Sequence, residues 1–440
     1  MKNKKWMAIL LGGIMAASLA APCSVSAAEK TTLTFWHAMG GTNGEVLQQI
    51  VDDFNASQDE IEVKAEYQGT YDDTITKLKA AMQSDSGLPD VCQMYDVGTK
   101  FMYDSGAVIP VEDKFESTGY DKSSVMDVIS SYYTVEGKQY AMPFNVSTPM
   151  LYYNKDVFEA AGLDPETPPT TYDEVLEDAK KIVESGAAPV GYSQAIYGWF
   201  FEQQLAGLGV TYGNNDNGRT EAVTAVDFDS NGGGLKVFDM WKKLYDSGYF
   251  EDYGTTTADT QTAFFSGQVG MIIESTAILK TAVDSSPFEV GTGYLPRIEQ
   301  NDEGGVIIGG GSLWLTDTGN EANEDAAWKF IEYITTPDVQ AKWSMGTGYF
   351  AINEKAYETD DMKAYLEENP NFETAINQLK DSPVNCNTAG VLSGVQTEAR
   401  LTFNEIMPQV YDGKLTTQDA VDQLAASVNK AIENYNESIK

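Results

Sequence analysis

The sequence predicts an α/β fold of doubly wound sheets, and three observations predict it. From Thr31 onward, segments with apolar residues at every second position alternate with segments carrying them every third or fourth. The first three strands and two helices of this pattern read βαβαβ before residue 96. No repeat, low-complexity tract or clean linker interrupts the 440 residues, which leave room for two or three domains.

The elements follow in order. Leu33 and Phe35 in TTLTFW mark the first strand, and His37–Gly41 (HAMGG) is a loop. Val46, Leu47, Ile50, Val51 and Phe54 recur at helical spacing. Ile61, Val63, Ala65 and Tyr67 alternate as a second strand. Ile75, Leu78, Ala81 and Met82 give a second helix, and Val91–Tyr95 a third strand. In such sheets ligands bind beyond the carboxyl ends of the strands, here held by His37, Tyr71 and Asp96. A polar tetrad, Asn145–Thr148, precedes a short apolar strand, Met150–Tyr153, and a helical turn around Val157, Phe158 and Ala161. Thr171 and Glu174 then form a capping box for a helix faced by Tyr172, Val175, Leu176, Ala179, Ile182 and Val183, and Gly186 ends it. The stretch 190–218 alternates aromatics and glycines around Trp199, and Phe238–Tyr245 is helical. Residues 263–275 read as a helix end, a Gly turn and a buried strand. Ile307–Trp314 is a strand broken by three glycines, the mark of a bulge or a close backbone approach. Helices follow at Ala327–Ile334 and around Val421–Tyr435, with Gly346–Tyr349 as a turn.

Composition supplies an address. Lys2, Lys4 and Lys5, an apolar run from Trp6 to Ala21, and Val25-Ser26-Ala27 make residues 1–27 an export signal with a cleavage site. Cys23 follows Pro22, whereas a lipid-modified cysteine normally follows Ala, Gly or Ser, so simple cleavage is the expectation. No second run of about 20 apolar residues exists. Cleavage removes three lysines and no acid from 29 basic and 66 acidic side chains, leaving a net charge near −40. That charge excludes nucleic acid and anionic membrane as partners. Cys92 and Cys386 remain, too few for a disulfide framework, and Cys92 in its apolar strand is expected to be a buried thiol.

The sequence carries no catalytic signature. His37 is the single histidine, and GxSxG, HExxH, CxxC and Walker A patterns are absent. Asp227, Asp229 and Asn231 begin like a calcium loop, but its twelfth position is Phe238 where a glutamate is required. No metal, cofactor or enzymatic activity is therefore expected.

The three arginines say more. Arg219 in NNDNGR reads as solvated, and Arg297 after Tyr294-Leu295-Pro296 as capping a strand end. Arg400 sits among apolar residues at helical spacing, where a guanidinium needs anionic partners. Its fork suits phosphate or carboxylate, and a structural pair with Glu398 or Glu405 is the alternative.

The segments FWHAMGG, YQGTYDD, QMYDVGT, PFNVSTPMLYYNKDVFEAAGLDPETPP, GWFFEQQ, VIIGGGSLW and GTGYFAIN, with the Arg400 segment, cover nearly all of the chain after residue 27. In these the sequence resembles extracellular solute-binding proteins of ABC importers (family 1), and most of all the glycerol-3-phosphate-binding proteins. The resemblance implies a two-lobed periplasmic-binding-protein fold with three hinge crossings. Residues 28–145 with 276–348 would form the N-terminal lobe, and 146–275 with 349–440 the C-terminal lobe. It implies a monomer that binds glycerol-3-phosphate or a glycerophosphodiester and delivers it to a membrane permease. A di- or oligosaccharide ligand remains the alternative, and an exported hydrolase the rival class. Carried over by motif, Tyr71 is a ligand contact of the first lobe, and Asp96 stands where the family has a glutamate accepting from glycerol hydroxyls. Ser147 and Ser275 match hydroxyl donors at the crossings, Gly310 a backbone N–H donor, and Tyr349 with Arg400 the phosphate-side pair. Trp199 resembles an aromatic wall. A phosphoryl group is expected to meet donors and no nearby carboxylate.

Overall fold

The computed structural model describes residues 30–84 and 87–439. The export signal and Cys23 lie outside the described residues. In chain order the strands are β1 (Thr31–His37), β2 (Ile61–Tyr67), β3 (Val91–Tyr95), β4 (Val108–Ile109), β5 (Thr134–Val135) and β6 (Lys138–Gln139). They continue with β7 (Met142–Ser147), β8 (Pro149–Asn154), β9 (Val190–Ser193), β10 (Val269–Ser275), β11 (Val290–Gly293) and β12 (Gly309–Thr316). One sheet has the order β2-β1-β3-β12-β4, with β7 also on β12; a second has the order β11-β8-β10-β9; β5 and β6 form a small hairpin.

The expected βαβαβ start is present, with β1 parallel to both β2 and β3. The sheets are nevertheless mixed. β12 runs antiparallel to β3, β4 and β7, and β8 runs antiparallel to β10 and β11. A helical crossover returns the chain in the same direction, whereas a strand entering from the other sheet arrives at the opposite end. Each face of β8 is covered: Met150 and Tyr152 join one core, Leu151 and Tyr153 the other. That double burial explains its unbroken apolar run.

Local signals place the helices. Thr171 accepts from the Glu174 N–H while the Glu174 carboxylate accepts from the Thr171 N–H, and the helix Tyr172–Ser185 stops at Gly186, with φ 76°. A second capping box, Thr70 with Asp73, starts the helix Tyr71–Met82. A third, Thr416 with Asp419, starts the helix Thr417–Ser438. Cys92 is buried, and burial pushes its thiol up to about 12. No helix among the described residues is long and apolar enough to cross a membrane.

The chain passes between the sheets at Thr148, between β11 and β12, and again after Phe350, whose N–H donates to Val146 O. Residues 276–285 leave the second sheet at Ser275, and Thr276 N–H donates to Thr148 O at 2.8 Å. Gln378, on the helix Asn371–Asp381, ties two crossings together. Its Nε2 donates to Thr148 Oγ1 (3.2 Å) and Pro149 O (2.8 Å), and its Oε1 accepts from Leu295 N–H (2.5 Å). Two stretches depart from the expected lobe boundaries. Val290–Gly293 pairs with β8 in the second sheet, because its antiparallel register on Leu151–Asn154 completes that edge. Residues 350–353 stay with the first sheet, where Phe350 bridges Val146 and Asn353 bridges Val125.

Candidate functional site

The seam between the lobes is organised by one close helix contact. Gly198 opens the helix Gly198–Gly207, and a Cβ there would lie 2.4 Å from Arg400 Cα. The absent side chain lets this helix rest against the helix Gln396–Tyr411. One turn on, Glu202 meets the guanidinium: Arg400 Nε donates to Oε1 at 2.8 Å and Nη2 to Oε2 at 2.7 Å. Gln396 Nε2 adds a bond to Oε1 at 2.9 Å. From the other lobe Asp96, the residue after β3, accepts from Arg400 Nη2 at 3.0 Å and Nη1 at 3.4 Å. Asp96 also accepts from its neighbour's N–H, that of Val97, at 2.8 Å. All three ionised side chains are at least nine-tenths buried.

The electrostatics follow from burial and pairing. Burial works against the charge of Arg400, but Asp96 and Glu202 outweigh it and hold its pKa well above the ordinary value. Burial raises the Glu202 pKa, with Arg400 opposing. Removing one member would strand the others, because an unpaired buried charge is far costlier than a paired one.

The aromatic side of the seam is equally connected. Tyr71, first residue of its helix, stacks on Tyr95 with centroids 5.1 Å apart and planes 7° apart. Its hydroxyl accepts from Asn145 Nδ2 at 2.6 Å. Asn145 Oδ1 accepts from Gln93 Nε2 at 2.6 Å, and Gln93 Oε1 from Ala38 N–H at 2.8 Å. Tyr95 donates to Asp72 Oδ1 at 3.0 Å, so the Thr397 hydroxyl, 2.7 Å away across the seam, donates to Tyr95. The Tyr349 hydroxyl lies beside Asn145 and Tyr71, and its ring stacks on Trp343 at 5.6 Å. Burial raises the pKa of Tyr71 and of Tyr349, which keeps both as neutral phenols with a proton to donate.

The glycine run of β12 does admit a close approach. At Gly309 a Cβ would lie 2.6 Å from the Trp199 ring; at Gly310, with φ 91°, it would lie 1.8 Å from Asn145 O. In register with them on β7, Gly309 faces Ser147 and Gly310 faces Val146. The Ser147 side chain is buried, and the buried Trp199 indole N–H has no hydrogen-bond partner among the described residues. The Ser275 hydroxyl accepts from Ala277 N–H at 3.1 Å, which leaves its own hydrogen to donate. The structure thus gathers Tyr71, Asp96, Ser147, Gly310, Tyr349, Trp199 and Arg400 along one seam, with Ser275 at the adjoining crossing.

Four expectations are corrected. Arg400 pairs with Glu202 and Asp96, not with Glu398 or Glu405, because its partners come from neighbouring elements rather than its own helix. The arginine side of the site therefore holds two carboxylates, where none was expected. Arg219 is not solvated: it donates to the carbonyls of Gly390 (3.0 Å), Tyr132 (2.9 Å) and Ala389, under the Tyr132 ring. Burial pulls its pKa down to about 10. A left-handed run, Asn215–Gly218, turns its side chain inward. Arg297 is exposed and caps no strand. Its backbone carbonyl accepts from Tyr172 N–H at 2.9 Å, at the start of a helix. His37 closes β1 as a buried residue rather than a loop residue, between Phe35 and Tyr67.

Sequence reasoning missed Glu202, Asn145, Tyr95, Thr397 and Gln396. The available signal was a lone carboxylate inside the apolar run GWFFEQQLAG. Among the described residues no group of three or more His, Cys, Asp or Glu is placed to hold a metal.

Comparisons with known proteins agree with this architecture. A family model described as bacterial extracellular solute-binding protein matches residues 49–374. The chain is 30 % identical over 417 residues to the sn-glycerol-3-phosphate-binding periplasmic protein UgpB of Escherichia coli K12, across 93 % of this chain and 94 % of that one. The cyclic α-maltosyl-1,6-maltose binding protein of Arthrobacter globiformis superposes with TM-score 0.76 at 26 % identity, over 92 % of this chain and 100 % of that one. UgpB of Mycobacterium tuberculosis, solved with glycerophosphocholine, gives TM-score 0.79 at 21 % identity, over 93 % and 100 %. Such proteins are the substrate-binding components of ABC transporters and not enzymes, so the exported-hydrolase alternative falls. Two sheets joined at Thr148, a seam lined with donors and a family pattern spanning most of the chain lead to one assignment: the chain belongs to the bacterial extracellular solute-binding proteins.

Proposed function

We propose that the protein captures glycerol-3-phosphate or a glycerophosphodiester outside the cytoplasm and delivers it to a membrane permease, with ATP hydrolysed by other subunits. The observation that carries this reading is the buried Arg400 fork at the lobe seam, in a chain 30 % identical to a glycerol-3-phosphate-binding protein. Ser147, Ser275, Tyr71, Tyr349 and the Gly310 N–H supply further donors. Asp96, once parted from Arg400, accepts from the glycerol hydroxyls. Charge-assisted hydrogen bonds contribute about 1.5–3 kcal/mol each, and micromolar affinity needs about 8 kcal/mol. A handful of them, less the cost of separating Asp96 from Arg400, suffices. The chain works as a monomer in the periplasm or on the outer face of the cytoplasmic membrane, released by cleavage after Ala27.

One observation favours a second reading. Two carboxylates already neutralise Arg400, and tyrosine and tryptophan rings line the seam, as suits a neutral di- or oligosaccharide. Calorimetry with glycerol-3-phosphate, glycerophosphocholine and maltose separates the two. Heat with either phosphate and none with maltose supports the first reading; the reverse replaces it with the second.

A further inference from the structure

Glu202 and Arg400 both belong to helices of the second lobe, and their bidentate pair does not depend on lobe closure. Of the two carboxylates on Arg400, only Asp96 reaches it from across the seam, through the longer of the contacts. A ligand that takes the Nη1 and Nη2 positions must displace Asp96, and it then meets a guanidinium whose charge Glu202 has already cancelled. The other titratable or charged groups facing Glu202 and Arg400 are Asp96, Tyr132, Tyr197 and Tyr212, with Arg219 behind Tyr132. Beside Arg400 itself, Arg219 is the one cation of this set, and it spends its bonds on three backbone carbonyls. A singly charged ligand replaces the charge of Asp96 one for one, whereas a second negative charge would be buried with nothing to offset it, at high cost.

We propose that Glu202 is a specificity-determining residue that sets the ligand charge the cleft accepts: a singly charged phosphodiester in preference to a doubly charged phosphomonoester. This rests on the reading that the ligand carries a phosphate. The phosphoryl group stacks no new charge on the pair beyond one unit, and the esterifying group extends along the seam. With Glu202 uncharged, Arg400 would instead present a full positive charge and welcome the dianion.

The test uses the whole mature chain, titrated calorimetrically with sn-glycerol-3-phosphate and with its methyl phosphodiester. The wild type at pH 7.5 is expected to bind the diester at least about tenfold more tightly. Between pH 7.5 and 5.5 the monoester takes up its second proton, whose pKa is about 6, and the gap should narrow about tenfold. The diester does not titrate there, so changes in the protein common to both ligands cancel in the ratio. Glu202→Gln should erase or invert the preference at pH 7.5. Equal or tighter monoester binding by the wild type at pH 7.5, or a gap unchanged at pH 5.5, overturns the proposal. Those two measurements stand even where Glu202→Gln fails to fold. Binding of neither phosphate, with heat from maltose, brings down the phosphate reading itself.

Discussion

Truncating Arg400 to alanine would leave Asp96 and Glu202 facing each other in a buried seam. Both carboxylates have an oxygen within 3.0 Å of the same nitrogen, so those oxygens lie less than about 6 Å apart. At an effective dielectric of about 20, two unit charges at that distance repel by about 3 kcal/mol. Breaking a buried pair by removing one partner costs about 3–5 kcal/mol, so the variant should lose that much at pH 8 by urea denaturation. Burial already raises the folded-state pKa of Glu202, and removing the guanidinium that opposes this raises it further above its unfolded value. Stability of that kind is present below the unfolded pKa and lost as pH rises through the folded one. The deficit of Arg400→Ala should therefore shrink by about 1–2 kcal/mol on going from pH 8 to pH 5. A phosphate ligand should bind at least about thirtyfold more weakly, near 2 kcal/mol, while a neutral sugar loses much less. A deficit below about 1 kcal/mol, or one equal at both pH values, refutes the claim that this arginine holds the two carboxylates together.

Other residues give sharp expectations. Burial lowers the pKa of His37, the only histidine, from 6.5 to about 4. The unfolded chain therefore takes up a proton between those values while the folded chain does not, and stability falls as pH drops from about 6.5 to 4. The single imidazole signal in proton NMR should titrate near 4, and a midpoint above 6 contradicts its burial. Gly310→Ala combines φ 91° with a Cβ 1.8 Å from Asn145 O, and should cost more than about 2 kcal/mol in urea denaturation. Gly413→Ala, at φ 68° with nothing within 4 Å, is its control and should cost only about 1 kcal/mol. Equal losses for the two would show that the close approach of β12 and β7 carries no weight.

What could be read from the sequence was local. The Thr171–Glu174 box and the Gly186 stop depend on residues three to fifteen positions apart, and both stand as read. The βαβαβ start survives because β1 and β2 each alternate with one buried face, while β3, buried throughout, reads as a short apolar run. The helix Gly198–Gly207 escaped notice because it is buried almost all round, so no 3.6-residue stripe exists to be found. Its Glu202 went with it, although a carboxylate there demands a partner. The partners of Arg400 are not on its own helix, where a local pattern could show them; the bonds run to residues 198 and 304 positions away. Arg219 misled through its polar neighbours: Asn215, Asp216, Asn217 and Gly218 suit a left-handed turn, but the carbonyls that receive the guanidinium lie far away in the chain. The site residues taken from family motifs do converge, but the charge on which they converge was invisible without Glu202.

The bonds around Thr148 and Pro149 bear on how the halves of the molecule can swing. A single glutamine amide grips the connector at Thr148 and the N–H of Leu295 on the connector between β11 and β12, while Thr276, just after β10, is buttoned to Thr148. Connectors fastened to one another in this way cannot flex one at a time. Twisting or sliding would tear several bonds at once, whereas a shared bend about the axis through Thr148 preserves them. The protein is geared for one motion, a door on a single pin.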